Sequence, residues 1–186
     1  MVHYREATAA DAPRIAALHA RSWQEHYRAD LSTDYLLHEA PAERLRTWTE
    51  RFATPSTAMW VQLAEEQAEL VGFCCVFFDH DPQAGSLLDN LHVSSGQQGR
   101  GIGKQLLHLA ARRVLAYDSQ GKLYLWVLSS NTAAAAVYRH LGGHFGEETY
   151  FPLPGAGPRG ARSIRVDFTP SDLAARTKGA GPQVEA

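Results

Sequence analysis

The chain of 186 residues predicts a single α/β domain whose sheet has about seven strands flanked by helices. Three observations lead there. Strand-like apolar runs and amphipathic helical stretches succeed one another along most of the chain. A polar loop with Gly99, Gly101 and Gly103 leads from one such strand straight into a strongly amphipathic helix. No internal repeat and no linker-like stretch divides the chain into two cores.

His3 to Ala7 is extended in character, and Thr8 to Asp11 reads as a turn and helix cap before Pro13 in the first helical turn. In the helix that follows, Ile15, Leu18, Ser22/Trp23 and His26/Tyr27 recur at helical spacing. Leu31 to His38 restarts a short helical segment, and Pro41 to Arg44 opens another whose Leu45, Trp48 and Phe52 share a face. Met59 to Ala64 and Leu70 to Phe78 form a hairpin by spacing, the second run apolar enough for a central strand. Asp79 to Ser86, with Pro82 and Gly85, reads as a loop.

Leu87 to Val93 is the strand that feeds the glycine loop. The next helix buries Ile102, Leu106, Leu109/Ala110 and Val114, and Tyr117 to Gly121 stops it. Leu123 to Leu128 is a strand, and Asn131 to Leu141 an alanine-rich helix stopped by Gly142 and Gly143. His144 to Phe151 and Ser163 to Phe168 are expected to pair antiparallel across a loop too long for a tight hairpin. Residues 1–168 form the expected domain, and 169–186, small and polar with little to bury, a flexible tail.

Composition excludes several partners. Eighteen basic side chains against 20 acidic ones give a formal charge of -2, so no global field draws the chain to nucleic acid or an anionic membrane. No apolar run approaches the roughly 20 residues of a membrane span, and the first residues do not lead into a signal-peptide core. Cys74 and Cys75 are adjacent within an apolar run, which suits core packing in a reducing compartment. A cytoplasmic protein is expected.

Glycines before a helix let a ligand approach backbone N–H groups where the helix dipole is positive, which suggests an anion site. A Walker loop is ruled out: Gly103-Lys104 is followed by Gln105, and Gln98 stands where its first glycine should be. A dinucleotide fingerprint is ruled out too, because its third glycine would fall on Lys104 or Leu106. The pattern Gln/Arg-x-x-Gly-x-Gly/Ala does fit, as Gln98-Gly99-Arg100-Gly101-Ile102-Gly103. A second motif, Asn131-x-x-Ala134-x-x-x-Tyr138-x-x-x-Gly142, follows a strand and a helix later.

These motifs and the element order, from Val2 to Phe168, resemble the GCN5-related N-acetyltransferase (GNAT) family. The resemblance implies an acyl-CoA N-acyltransferase fold with a mixed, mainly antiparallel sheet. It also implies direct transfer of an acetyl group from acetyl-CoA to a primary amine in a ternary complex. By the same resemblance, Gln98, Gly99, Arg100, Gly101, Gly103 and Lys104 hold the pyrophosphate. Val93 binds the pantetheine arm through its backbone and Leu91 the thioester carbonyl, while Asn131 contacts the pantetheine or acetyl region and Tyr138 lies near the sulfur.

The reaction also needs an amine deprotonated and a thiolate protonated. Tyr138 is the candidate acid, the rival reading being a packing residue. Family members with a base on this strand carry it four or six residues before the Val93 position, here Asp89 or Leu87, and only Asp89 can act. Asp89 would work through water, since a carboxyl of ordinary pKa, about 3.9, is far less basic than an amine. Its rival role is a structural carboxylate paired with an arginine. Strand alternation places Asp89 with Leu91 and Val93 and sends His92 to the other face.

By the same resemblance, Trp23, Tyr27, the segment after it and the loop from Tyr150 to Gly160 wall the acceptor pocket, with Trp23 and Tyr27 equally readable as core. No Gly-x-Ser-x-Gly elbow and no His-Glu-x-x-His occurs, so neither a nucleophile nor a metal is expected. The acceptor is expected to be a small amine. A protein or peptide amine, or an acyl-CoA sensor without turnover, remain the alternatives, and a homodimer is compatible with the family.

Overall fold

A computed structural model describes residues 1–54 and 56–176. Its elements are β1 (His3–Glu6), α1 (Ala12–His26), α2 (Ala40–Ala53), β2 (Met59–Glu66), β3 (Glu69–Asp81), β4 (Gly85–Val93), α3 (Ile102–Tyr117), β5 (Leu123–Leu128), α4 (Thr132–His140), β6 (His144–Phe151), β7 (Ala161–Phe168) and α5 (Pro170–Arg176). The seven strands form one sheet in the order β1-β2-β3-β4-β5-β7-β6. Every neighbouring pair is antiparallel except β4 and β5. The mixed, mainly antiparallel sheet is therefore as expected.

The sheet separates two cores. On one face α3 buries Ile102, Leu106, Leu107, Ala110 and Val114 against Cys74, Val76, Leu88 and Leu125. On the other, α1 and α2 bury Ile15, Leu18 and Trp48 against Leu63, Phe73 and Cys75. Near-continuous burial along β3 reflects a strand covered on both faces, which is why its sequence does not alternate. Cys74 and Cys75 are free and buried, and burial pushes both thiols up, as core cysteines should be.

Two boundaries differ from the sequence reading. Asp79 to Ser86 is not an open loop: β3 runs on to Asp81 and β4 begins at Gly85. Asp81 makes the tight turn possible, its Oδ1 accepting the N–H groups of Gln83 at 2.8 Å and Ala84 at 2.7 Å, an Asx device that substitutes for backbone pairing. The segment expected as a tail begins with α5, whose Leu173 is buried in the α3-side core; residues 177–186 lie outside the described residues. Among the described residues, no helix is long and apolar enough to cross a membrane.

Candidate active site

Strands β4 and β5 share only two ladder positions, Ser86 with Leu123 and Leu87 with Tyr124. Beyond them the strands part, so Leu88 to Val93 on one side face Leu125 to Leu128 on the other across a cleft of about 440 Å³. Backbone groups on the cleft edge of each strand are thereby left without a ladder partner, and a buried backbone group needs one. An extended ligand arm can supply it.

One end of the cleft is the N-terminus of α3. Gly101 caps that helix with φ 80°, a left-handed conformation natural to glycine, and a Cβ there would meet nothing within 4 Å. The first helical bond closes from Gln105 N–H to Gly101 O at 2.9 Å. The N–H groups of residues 102–104 therefore point out of the helix end, where they and the dipole favour an anion. Gln98, Gly99, Gly101, Gly103 and Lys104 line this end. Arg100 does not: its guanidinium is taken up by Glu66 at 2.7 and 2.9 Å and by Gln97. Gln98 Nε2 reaches Val93 O at 3.4 Å and His26 Nε2 at 3.3 Å, spanning the mouth between β4 and α1.

Asn131 and Tyr138 border the cleft from the α4 side. Asn131 caps α4, its Oδ1 accepting Ala134 N–H at 3.1 Å, which leaves its amide N–H₂ for a ligand. Burial pushes the Tyr138 phenol well above its ordinary value, and neighbouring Tyr27 adds to the effect. Tyr138 is thus held protonated, the form an acid requires.

The acceptor side departs from the sequence reading at β4. Val76 pairs with Leu88 but Cys75 with Asn90, so Asp89 is the extra residue of a β-bulge. A bulge sends consecutive side chains to one face. Asp89 and Asn90 both meet Arg51 of α2, at 2.9 and 3.1 Å, while Leu88, Leu91 and Val93 pack toward α3. Uninterrupted alternation is therefore wrong here, and Asp89 shares its face with His92 instead of with Leu91 and Val93. His92 is buried, its Nδ1 2.8 Å from Ser22 Oγ of α1.

Of the three aromatic residues expected to wall an acceptor pocket, Tyr27 borders the cleft and the others do not. Its phenol is pushed up to about 12 by burial, then by the carboxylates of Asp30 and Asp89. Trp23 is core, 6% exposed, with the Arg44 guanidinium 4.3 Å over its ring. Tyr150 is 53% exposed on the edge strand β6. Helical spacing brought Trp23 and Tyr27 to one side of α1 but could not tell which would face β4. Ser22 and His26, which helical spacing placed on the α1 stripe without a role in the site, line the cleft, as does Trp126. Ser22 and His26 stand four residues apart on one face of α1.

Beyond the cleft, the β6–β7 loop crosses to the α1–α2 connection. Leu31 pairs with Ala156, and Ser32 N–H bonds Gly155 O at 2.8 Å. Gly155 has φ 77°, and a Cβ on it would lie 2.4 Å from the Tyr35 ring, so only glycine fits. Asp30 is bonded by Ser130 Oγ from the β5–α4 turn. Together these contacts form a strap that ties the β6–β7 loop and the β5–α4 turn to the α1–α2 connection.

The sequence model of the Acetyltransferase (GNAT) family matches residues 17–143. A probable N-acetyltransferase of Mycobacterium tuberculosis is 26% identical over 161 residues, covering 84% of this chain and 87% of its own. Among solved structures, the PaiA N-acetyltransferase of Thermoplasma acidophilum in complex with coenzyme A superposes with a TM-score of 0.70 at 15% identity, covering 90% of this chain and 99% of that one. The ribosomal-protein-S18-alanine N-acetyltransferase of Escherichia coli does so at 0.68 and 17%, over the full length of both chains. A spermidine N-acetyltransferase variant of Vibrio cholerae gives 0.65 and 17%, over 95% of this chain and 98% of that one. At such identities these structures share the fold.

Proposed function

Because the chain belongs to the GNAT acetyltransferase family, we propose that it moves an acetyl group from acetyl-CoA to a primary amine of a small molecule, directly, within a ternary complex. Residues 1–168 act as the catalytic domain. The observation that carries the reading is the cleft between parted strands, which runs from a free helix N-terminus to Tyr138, Tyr27 and Asp89.

The pyrophosphate sits on the N–H groups at the start of α3 with Lys104 beside it. The pantetheine arm lies along β4, where Val93 bonds the arm and Leu91 the thioester carbonyl, in the manner of a strand added to an open edge. The amine attacks the carbonyl carbon, a C–N bond forms and the C–S bond breaks. Its surplus proton leaves through water to Asp89, and the departing thiolate takes a proton from Tyr138. The coenzyme A bound by the PaiA enzyme of the same fold supports the cofactor assignment.

A small acceptor is favoured over a protein amine by the strap. A polypeptide needs an open groove, whereas here Gly155 is seated on Tyr35 and Leu31 is paired with Ala156. The test is thiol release from acetyl-CoA with an amine panel of spermidine, phenethylamine and a peptide with a free N-terminal alanine, beside calorimetry of acetyl-CoA binding. Release with a small amine and not with the peptide is expected. Binding without release for any acceptor would convert the chain into an acyl-CoA sensor, and absence of binding would remove the assignment.

A further inference from the structure

The bulge at Asp89 brings that carboxylate onto the face of β4 that carries His92, and His92 itself borders the cleft. We propose that His92, held by Ser22, is the acceptor-positioning residue: its imidazole accepts a hydrogen bond from the unprotonated amine and orients it for attack on the thioester. The inference rests on the acetyl-transfer reading above.

Placement comes first. His92 borders the cleft together with Ser22, Tyr27 and Asp89, although it is only 8% exposed. Its ring is fixed on three sides, by Ser22 Oγ at 2.8 Å from Nδ1, by the His19 ring with centroids 4.6 Å apart, and by Phe73 at 5.4 Å. With Nδ1 engaged by Ser22, Nε2 is the polar atom that remains. When Nδ1–H donates to the serine oxygen, Nε2 carries a lone pair, and a lone pair is what an amine N–H seeks.

Charge supports the same role. The titratable groups that bear on His92 are His19 and His26 from α1 and Arg44 from α2, none of them a carboxylate. Asp89, on the same strand, is paired with Arg51. Burial, followed by the repulsion of His26 and Arg44, pulls the imidazole down to about 3, so it is neutral at every ordinary pH. A neutral, desolvated acceptor beside Arg44 favours a neutral amine over an ammonium ion.

His19 cannot substitute. Trp48 Nε1–H donates to its Nδ1 at 3.1 Å, which puts the histidine proton on Nε2, a buried atom without a partner. Both of its nitrogens are thus unable to accept from a substrate. His19 is also 1% exposed, whereas His92 reaches the cleft.

The experiment compares steady-state kinetics of wild type, His92→Leu, His92→Gln and Ser22→Ala with phenethylamine and spermidine, beside calorimetric acetyl-CoA affinity. Loss of one buried hydrogen bond predicts about a tenfold fall in kcat/KM for the acceptor in His92→Leu. Partial recovery is expected in His92→Gln, whose amide oxygen accepts, and a smaller loss in Ser22→Ala, all with acetyl-CoA affinity unchanged. The limb of kcat/KM against pH should follow the amine's own pKa when a less basic amine replaces the first. Unchanged acceptor kinetics in both His92→Gln and Ser22→Ala, beside an equal loss of acetyl-CoA affinity and acceptor kinetics in His92→Leu, overturns the proposal. So does a limb that stays in place when the amine is changed. If His92→Leu fails to fold by circular dichroism, His92→Gln and Ser22→Ala decide. Wild-type protein that binds acetyl-CoA but releases no thiol instead overturns the acetyl-transfer reading itself.

Discussion

Arg51 of α2 holds Asp89 of β4 in an ion pair of 2.9 Å at the point where the strand bulges. The same guanidinium bonds Asn90 and lies 4.9 Å over the Trp48 ring and 5.1 Å over Phe77. Asp89 therefore has the arginine partner that a structural role would give it, and it also borders the cleft that a catalytic role requires. Asp89→Asn separates the two: a base predicts a fall in kcat of about 100-fold or more at unchanged acetyl-CoA affinity. Arg51→Met, which keeps the carboxylate, should cost less turnover. Full turnover in Asp89→Asn would leave the residue with its structural role alone.

Tyr138 carries a phenol that burial keeps protonated. Tyr138→Phe preserves the ring and its edge contact with Phe168, 6.2 Å between centroids, while removing the proton. Turnover should drop by about 10² or more, with acetyl-CoA affinity within about twofold of wild type because no large contact is lost. Burst-phase thiol release measured against calorimetric affinity distinguishes the two effects. Equal rates in both proteins would reduce Tyr138 to packing.

The two cations of the glycine loop should differ. Arg100 is committed to Glu66 and exposed, whereas Lys104 lines the cleft at the helix N-terminus. Lys104→Ala is expected to weaken coenzyme A by several-fold, more at low salt than at high, and Arg100→Ala to change it little. Titration calorimetry at two ionic strengths checks both. A larger loss at Arg100 would mean that the arginine exchanges Glu66 for phosphate.

Acid stability should depend on the junction of β1 and α1. Arg5 binds Asp11 at 2.7 and 2.8 Å and Glu65 at 2.9 Å, and Thr8 N–H adds a bond of 2.8 Å to Asp11. The Arg5 hydrogen bonds hold both carboxyls below their ordinary values against the opposing effect of burial. A carboxyl lowered in the folded state stabilises it above the unfolded value, about 3.9 for Asp, and that stability is lost as pH falls. Asp11→Asn should therefore cost about 2–4 kcal/mol at pH 7. In urea unfolding, the gap from wild type should narrow as pH drops from about 5 toward 2; a gap independent of pH would contradict the ion pair.

Much of the site was legible without coordinates because its signals are local. Glycines at 99, 101 and 103 before an amphipathic helix specify a free helix N-terminus wherever the helix packs. Asn131 to Gly142 carries its own cap and stop, and Asn131 does cap α4. The burial of Ile102, Leu106 and Val114 follows from periodicity alone. Side-chain alternation from Leu87 to Val93 is the local rule that does not hold, because the bulge at Asp89 breaks the register.

The sequence by itself determined the order of elements and the glycine loop that opens onto the α3 N-terminus, since each depends on contacts within a few residues or on a fixed period. Only the tertiary structure decided that Arg100 turns to Glu66, that Trp23 is core while Tyr27 faces the cleft, and that His92 comes to Ser22. Those outcomes depend on partners distant in the chain, 34 residues for Arg100 and 70 for His92, just as the face taken by Asp89 depends on one extra residue in its strand. Neither a period nor a propensity encodes which distant side chain will be there to meet it.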